Sequence, residues 1–267
     1  MACRRFFLAL ALVLTAFSLP VAAQLAYSPG FVWDRTADWR DGPVPGSSTG
    51  NPSPDALGSK VWRYEYTTGT SFSSSTPWYL NQKYLMVWDD YWWGTASQAN
   101  WARAYLGAGS DNNVNPPIGK YTLVQDLSEY KKSLQYLPVA RWFNPVAGYN
   151  EFSITGDMQV EWAGWGVSPN VDVEVAILKK DNVTQQVFPV WLQTYSNPTP
   201  GYPNPPYPKA TIPLNVPMIR FNKDDQLLFT LRAKKDVEFV QPAWVVLYDN
   251  ARIKLLRQSV VAYQPGN

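Results

Sequence analysis

The chain contains no histidine. That removes the commonest general base and the commonest transition-metal ligand, and with them any serine–histidine or cysteine–histidine nucleophile. Cys3 is the only cysteine, so no disulfide can form within the chain and a secreted domain built from it must be held together by its core. After residue 23 no apolar run approaches the ~20 residues of a membrane-spanning helix. Net charge is also scarce: 23 Lys and Arg stand against 21 Asp and Glu, a formal +2. Both excess charges are Arg4 and Arg5, which leaves residues 24–267 formally neutral. A neutral chain lacks the basic face with which proteins capture nucleic acid or acidic lipid. The pairs Lys131-Lys132 and Lys234-Lys235 read as solvated turn residues.

The N-terminus has the three parts of a secretory signal. Arg4 and Arg5 precede an apolar stretch over residues 6–19, interrupted by Thr15 and Ser18, and Val21-Ala22-Ala23 supplies small residues for cleavage. This predicts a signal over residues 1–23, a mature chain starting at Gln24, and a periplasmic or extracellular location. The stretch is too short for a membrane anchor, so no membrane association is expected after cleavage.

Aromatic residues are what the chain has in abundance: 13 Trp, 16 Tyr and 11 Phe. Trp78, Trp88, Trp92, Trp93 and Trp101 crowd one segment, interleaved with Tyr79, Tyr84 and Tyr91. Trp and Tyr offer a flat apolar face and a polar edge, which suits a partly wet binding surface. With no histidine beside them, the chain is better equipped to bind than to catalyse.

The periodicity is that of strands. Residues 61–66 and 171–178 alternate apolar and polar side chains, and 149–154 and 226–232 read similarly. Further strands are expected at 84–89, 120–125, 139–144, 186–191, 210–214, 218–221, 243–249 and 251–256, separated by turn formers such as Gly69, Gly119, Gly148, Asn182 and Asn222-Lys223-Asp224-Asp225. Alternation predicts antiparallel sheets with one buried face. Two short helices are allowed, at 96–106 and 128–136. The expected fold is all-β: an antiparallel, jelly-roll-like β-sandwich with long loops and at most two short helices. Its parts are the signal 1–23, a loop-rich segment 24–60, the sandwich 61–257 and a tail 258–267. Residues 197–208, Asn-Pro-Thr-Pro-Gly-Tyr-Pro-Asn-Pro-Pro-Tyr-Pro, cannot sit inside a sheet and are read as an excursion from a single sandwich, with an interdomain linker as the alternative.

Residues 138–156 contain Arg141-Trp142 running into Pro145-Val-Ala-Gly148-Tyr149 and a second strand that reaches Gly156. With the alternating strand at 171–178, the turn 222–225 before 226–232, and Tyr248-Asp249 before the last strand, this resembles secreted bacterial β-jelly-roll domains over roughly residues 60–256. The resemblance implies a sandwich like those of carbohydrate-binding modules and galactose-binding-like domains. Two departures stand out: the turn at 222–225 lacks the glycine usual there, and the Trp-rich stretch 78–101 has no counterpart.

Candidate ligand-binding residues follow. Trp88, Trp92 and Trp93, with Asp89 and Asp90 to accept sugar hydroxyls, form one set. Adjacent strand residues point to opposite faces, so Trp92 and Trp93 cannot both enter one core. Trp162-Ala-Gly-Trp165-Gly is expected to be a loop that presents Trp162 and Trp165 close together, or one folded over the end of the sandwich. Core packing is the competing account for any strand Trp, Trp62, Trp142 and Trp244 included. No cofactor is expected beyond a structural calcium held by oxygen ligands, with Asp111 and the set Asp224, Asp225 and Asp249 as candidates against ordinary turn chemistry. Glu161 beside Trp162, and Asp172 with Glu174, are the carboxylates from which a hydrolase could be built. Three functions remain open: a non-catalytic polysaccharide or glycan binder, a structural assembly subunit that forms homo-oligomers by edge-strand pairing, and a carboxylate-dependent polysaccharide-active enzyme.

Overall fold

The computed structural model describes residues 27–40, 42–44, 46–68, 77, 80, 83–89, 91–93, 104–107, 122–127, 136–164, 168–201, 207–234 and 243–259. The expected signal, most of the tail and residues 128–135 of the helix expected over 128–136 lie outside the described residues, and Tyr136 begins a strand. Among them the strands run β1 (Val32–Asp34), β2 (Ser53–Pro54), β3 (Lys60–Thr68), β4 (Lys83–Leu85), β5 (Val87–Asp89), β6 (Tyr91–Trp93), β7 (Ala104–Gly107), β8 (Thr122–Asp126), β9 (Tyr136–Phe143), β10 (Asn150–Gly164), β11 (Val173–Lys180), β12 (Val187–Tyr195), β13 (Lys209–Phe221), β14 (Gln226–Ala233), β15 (Ala243–Tyr248) and β16 (Arg252–Gln258). All pairings are antiparallel. A larger sheet has the order β1-β16-β10-β15-β8-β7-β6-β5, with β13 on the other edge of β10; a smaller one has β12-β11-β14-β9-β3-β2, with β4 on β3. The chain is an all-β antiparallel sandwich.

The core is set by every second residue. Val173, Val175 and Ile177 on β11, Leu227, Phe229 and Leu231 on β14, and Phe152, Ile154, Met158, Val160 and Trp162 on β10 all enter one cluster. Its centre is aromatic: Trp142 meets Trp33 at 5.2 Å, Phe152 at 5.5 Å and Phe221 at 5.8 Å between ring centroids, each edge to face. Edge-to-face geometry sets the positive edge of one ring against the negative face of the next.

The segment read as loop-rich is tied into this core. Strand β1 pairs with β16 in the larger sheet, and β2 with β3 in the smaller. Asp55 Oδ2 accepts from Tyr27 OH at 2.6 Å and Trp33 Nε1 at 2.9 Å, and Asp38 Oδ2 accepts from Trp62 Nε1 at 3.0 Å. Two carboxylates of the segment read as loop-rich are thus the partners of buried indoles.

Three local expectations are corrected. Ala104–Gly107 is a strand rather than the end of a helix over 96–106, because Tyr105 and Leu106 are paired on both sides, to β6 and β8. Long-range pairing overrides a weak helical preference. The strands expected at 210–214 and 218–221 are one, β13, although it contains Pro213 and Pro217. Proline lacks an N–H and survives where that edge has no partner; among the described residues β13 pairs only with β10. Third, each sheet buries part of its outer face as well: Val124, Ala163, Trp244 and Val246 on the larger, and Leu137, Val139, Ala176, Leu178 and Leu228 on the smaller. No helix among the described residues is long and apolar enough to cross a membrane.

Candidate functional site

The 15-residue strand β10 is the spine of the larger sheet. Along one edge it pairs with β13 from Asn150 to Glu161. Along the other it pairs first with β16 and then with β15. The last two strands are thus one return path, with a ladder interrupted where residues 249–251 pass residues 156–158. Alternation continues through the gap. Asp249 falls at a core position, and it is fully buried against the equally buried Arg35, whose Nε lies 3.1 Å from Asp249 Oδ2. Burial pushes the Asp249 carboxyl above its ordinary range, against the pull of the Arg35 charge and of the Ala251 N–H.

Gly156 explains why the two paths can come this close. A Cβ placed there would lie 3.0 Å from Asn250 Oδ1, 3.1 Å from Ala251 Cα and 3.2 Å from Asn250 O. Two of these atoms are backbone and cannot step aside. We expect Gly156→Ala to cost about 1–3 kcal/mol by overpacking, measured as a drop in the urea midpoint; a neutral result would mean that the return path is looser than described.

On the outer face, this gap opens a cavity of about 490 Å³ lined by Thr155, Gly156, Asp157, Pro213, Leu214, Asn215, Asn250 and Arg252. That volume is within the range of small-ligand sites, ~300–1,000 Å³. Carboxylate, amide, hydroxyl and guanidinium groups converge there, so it offers both donors and acceptors. Asn250 Oδ1 is buried with no hydrogen-bond partner, and Arg252 Nε is held 3.0 Å from Asp34 Oδ2.

Further along the same face, Gln159 stands between Thr211 and Tyr248, and Glu161 between Lys209 and Val246. Glu161 Oε2 lies 2.8 Å from Lys209 Nζ and accepts from Tyr248 OH at 3.1 Å. Lys209 Nζ also sits over the Tyr248 ring, 4.7 Å from its centroid. Beyond this junction the face becomes aromatic. Tyr207, at the end of the proline-rich excursion, packs with Trp244, Val124, Ala163 and Val246, and Tyr248 lies against the cluster. That excursion joins β12 of the smaller sheet to β13 of the larger.

The expected Trp residues can be traced through the register. Trp88 is opposite Trp92, and Trp92 opposite Leu106. That row continues through Leu123, Leu247 and Val160, all of which are in the core. Trp93 is opposite Val87 and Tyr105, and its row continues through Val124, Val246, Glu161 and Lys209 along the outer face. The adjacent pair thus belongs to two different rows of the sheet. Asp89 is opposite Tyr91. Asp90, Trp165 and Asp111 lie outside the described residues.

Trp162 is a correction. It is not a loop residue but lies in β10, fully buried, its Nε1 donating to Val171 O at 2.7 Å. Gly164 does not start a loop after Glu161 because pairing with β15 extends the strand to it. The calcium set is not brought together either. Asp225 accepts from Asn182 N at 2.9 Å and Asn222 N at 2.8 Å and is 3.2 Å from Lys179 Nζ. Asp249 is committed to Arg35. Asp224 has φ 67°, the left-handed conformation that Asp tolerates better than most residues, which is how this turn does without its usual glycine. Among the described residues no three carboxylates gather where a metal could sit.

Sequence reasoning missed Tyr207, Asn215, Asn250 and the pocket. Tyr207 carried a signal, as an aromatic in a proline-rich strip. The pocket carried none, because it depends on Gly156 facing residues almost a hundred positions away.

No family model matches the sequence, and no curated protein matches it. Among solved structures, a carbohydrate-binding module specific for non-crystalline cellulose, CBM28, is similar at 11% identity, with 50% of this chain and 74% of that one covered and a TM-score of 0.30. The CBM22-1–GH10 modules of Clostridium thermocellum xylanase 10B, complexed with xylohexaose, match at 10% identity over 76% of this chain and 27% of that one, TM-score 0.25. Eiger TNF from S. frugiperda matches at 9% identity over 78% and 98%, TM-score 0.26. Carbohydrate-binding modules are thus among its structural neighbours, and at scores this low none of them bears on what this chain binds.

Proposed function

We propose that the chain is a secreted, non-catalytic carbohydrate-binding β-sandwich that holds a polysaccharide along the outer face of its larger sheet. The observation that carries this is one run of accessible groups along that face: Thr155, Asp157 and Gln159 on β10, Thr211 and Asn215 on β13, the half-buried ring of Tyr248, and Asn250 and Arg252 at the pocket. Sugar rings present apolar C–H faces to aromatic rings and hydroxyls to amides and carboxylates.

A binder is favoured over a hydrolase by spacing. The outward carboxylates of β10 are Glu151, Asp157 and Glu161; the nearest two, Asp157 and Glu161, are four strand residues apart, or about 13 Å at the rise of a strand. Glycoside hydrolysis needs its pair at roughly 5–10 Å. Glu161 is also held by Lys209 and Tyr248.

The test is calorimetric titration of residues 24–267 with soluble neutral oligosaccharides, glucans and xylans first. Asp157→Ala and Asn215→Ala should each lower affinity about five- to tenfold, the scale of one hydrogen bond, with unchanged urea midpoints because both residues are exposed. Raising salt should change little, since the ligand is uncharged. Binding that none of these variants weakens would move the site off this face, and absence of binding to any neutral glycan would end the proposal.

A further inference from the structure

The outer face of the smaller sheet ends in a concentration of positive charge. The β3–β9 register sets Arg63 directly opposite Arg141, an arrangement of like charges that costs stability. In the next row Phe143 is opposite Gln226, and Gln226 opposite Lys180. Lys83 pairs with Thr67 on the far side of β3. Among the described residues, one carboxylate serves this group. Glu65 Oε2 is 2.6 Å from Arg141 Nη2, while Oε1 is 3.8 Å from Arg63 Nη1, beyond hydrogen-bond length. Arg141 Nη1 donates to Gln226 Oε1 at 2.6 Å, so this buried guanidinium is clamped from two sides. Arg63 is different. Its guanidinium carbon lies 4.8 Å from the centroid of the Phe143 ring, and its side chain is 36% exposed. The Nε atoms of Arg63 and Arg141 have no hydrogen-bond partner. Asp181, next to Lys180, is turned away to accept from Val183 N and Thr184 N.

We propose that this cluster binds an oxyanion, a carboxylate, sulfate or phosphate group, with Arg63 and Lys180 reaching the ligand and Arg141 fixed behind them by Glu65 and Gln226. Three cations, Arg63, Arg141 and Lys180, share one described carboxylate, Glu65, and a guanidinium seated on an aromatic ring keeps its N–H edge open to receive two oxygens at once. Titration supports this. Burial lowers the Lys83 ammonium to about 8, aided by the Arg141 and Lys180 charges and opposed by Glu65. Burial and Arg141 lower Lys180 as well, again opposed by Glu65. A bound anion relieves both. Lys83 carries its charge below about 8, so anion affinity falls as pH rises through that value.

The experiment is titration of residues 24–267 with sodium sulfate, sodium phosphate and sodium glucuronate, each against sodium chloride at equal ionic strength, read by calorimetry and by Tm. At least one should bind saturably and raise Tm beyond the chloride control. Preference for glucuronate assigns a planar carboxylate, and preference for sulfate or phosphate a tetrahedral anion. Arg63→Gln should weaken binding about tenfold, the scale of a charge-assisted hydrogen bond, and Lys180→Gln should weaken it in the same direction. Sulfate, which does not itself titrate in this range, should bind more weakly as pH rises through about 8. Equal responses in wild type and Arg63→Gln, or no effect beyond chloride, would overturn the proposal. Neutral-glycan binding on the other sheet should be untouched by either variant, so the two proposals can fail separately.

Discussion

A Trp142→Ala variant is expected to lose about 3–5 kcal/mol of folding stability, the cost of removing a large buried aromatic and leaving a cavity. Trp142 is fully buried, and its ring contacts Trp33, Phe152 and Phe221, which come from three strands of the opposite sheet. No single neighbour can move into the space without losing its own edge-to-face contacts. Trp142→Phe provides the control. Trp142 Nε1 has no hydrogen-bond partner, so its removal sacrifices no hydrogen bond, and the smaller ring should cost clearly less than alanine. Urea unfolding followed by circular dichroism measures both. An alanine variant within about 1 kcal/mol of wild type would mean that the core can collapse around the deletion.

The second large effect is expected at Asp249. Replacing it with alanine strands the Arg35 guanidinium at a fully buried position, and breaking a buried pair in this way costs about 3–5 kcal/mol. The pair itself is an expensive arrangement. Burial holds the Asp249 carboxyl above its ordinary range, and Arg35 Nη1 and Nη2 have no hydrogen-bond partner. A double variant, Arg35→Met with Asp249→Leu, should therefore recover most or all of the loss, since apolar replacement of buried ion pairs is often neutral or stabilising. The comparison of single and double variants by urea unfolding is decisive: equal losses in both would show that the charges are favourable in themselves. The sign with pH follows from the raised carboxyl. Its contribution to stability is largest at low pH and is lost as pH rises through the folded value.

How much of this could be seen in the sequence depended on the range of the interactions involved. Local alternation located β3, β11 and β14 within two residues, because inward and outward positions on those strands differ plainly in polarity. The strand expected to close at Gly156 runs on to Gly164, and Gly156 is small because Ala251 passes over it. The break expected between 214 and 218 is absent, and β13 carries Pro213 and Pro217 because its far edge faces no partner among the described strands. Trp162 looked like a displayed ring because two glycines follow it within four residues, and pairing to β15 carries the strand through the first of them instead. At the site, the division of Trp92 from Trp93 was legible from chain geometry alone. The rows that the two residues join were not, because those are fixed by register across β7, β8 and β15.

The long strand β10 is gripped along both edges, and this bears on how the molecule could change over generations. A slip of one residue would turn every core side chain outward, so the division of labour along the strand is locked. Positions 155, 157 and 159, and 211, 213 and 215 beside them on β13, are then free to vary without any change in packing. Surface chemistry can drift at six such positions while the interior stays under separate constraint. Asp249 and Gly156 are exceptions: they lie at the gap in the ladder, where a substitution alters the recognition face and the interior together.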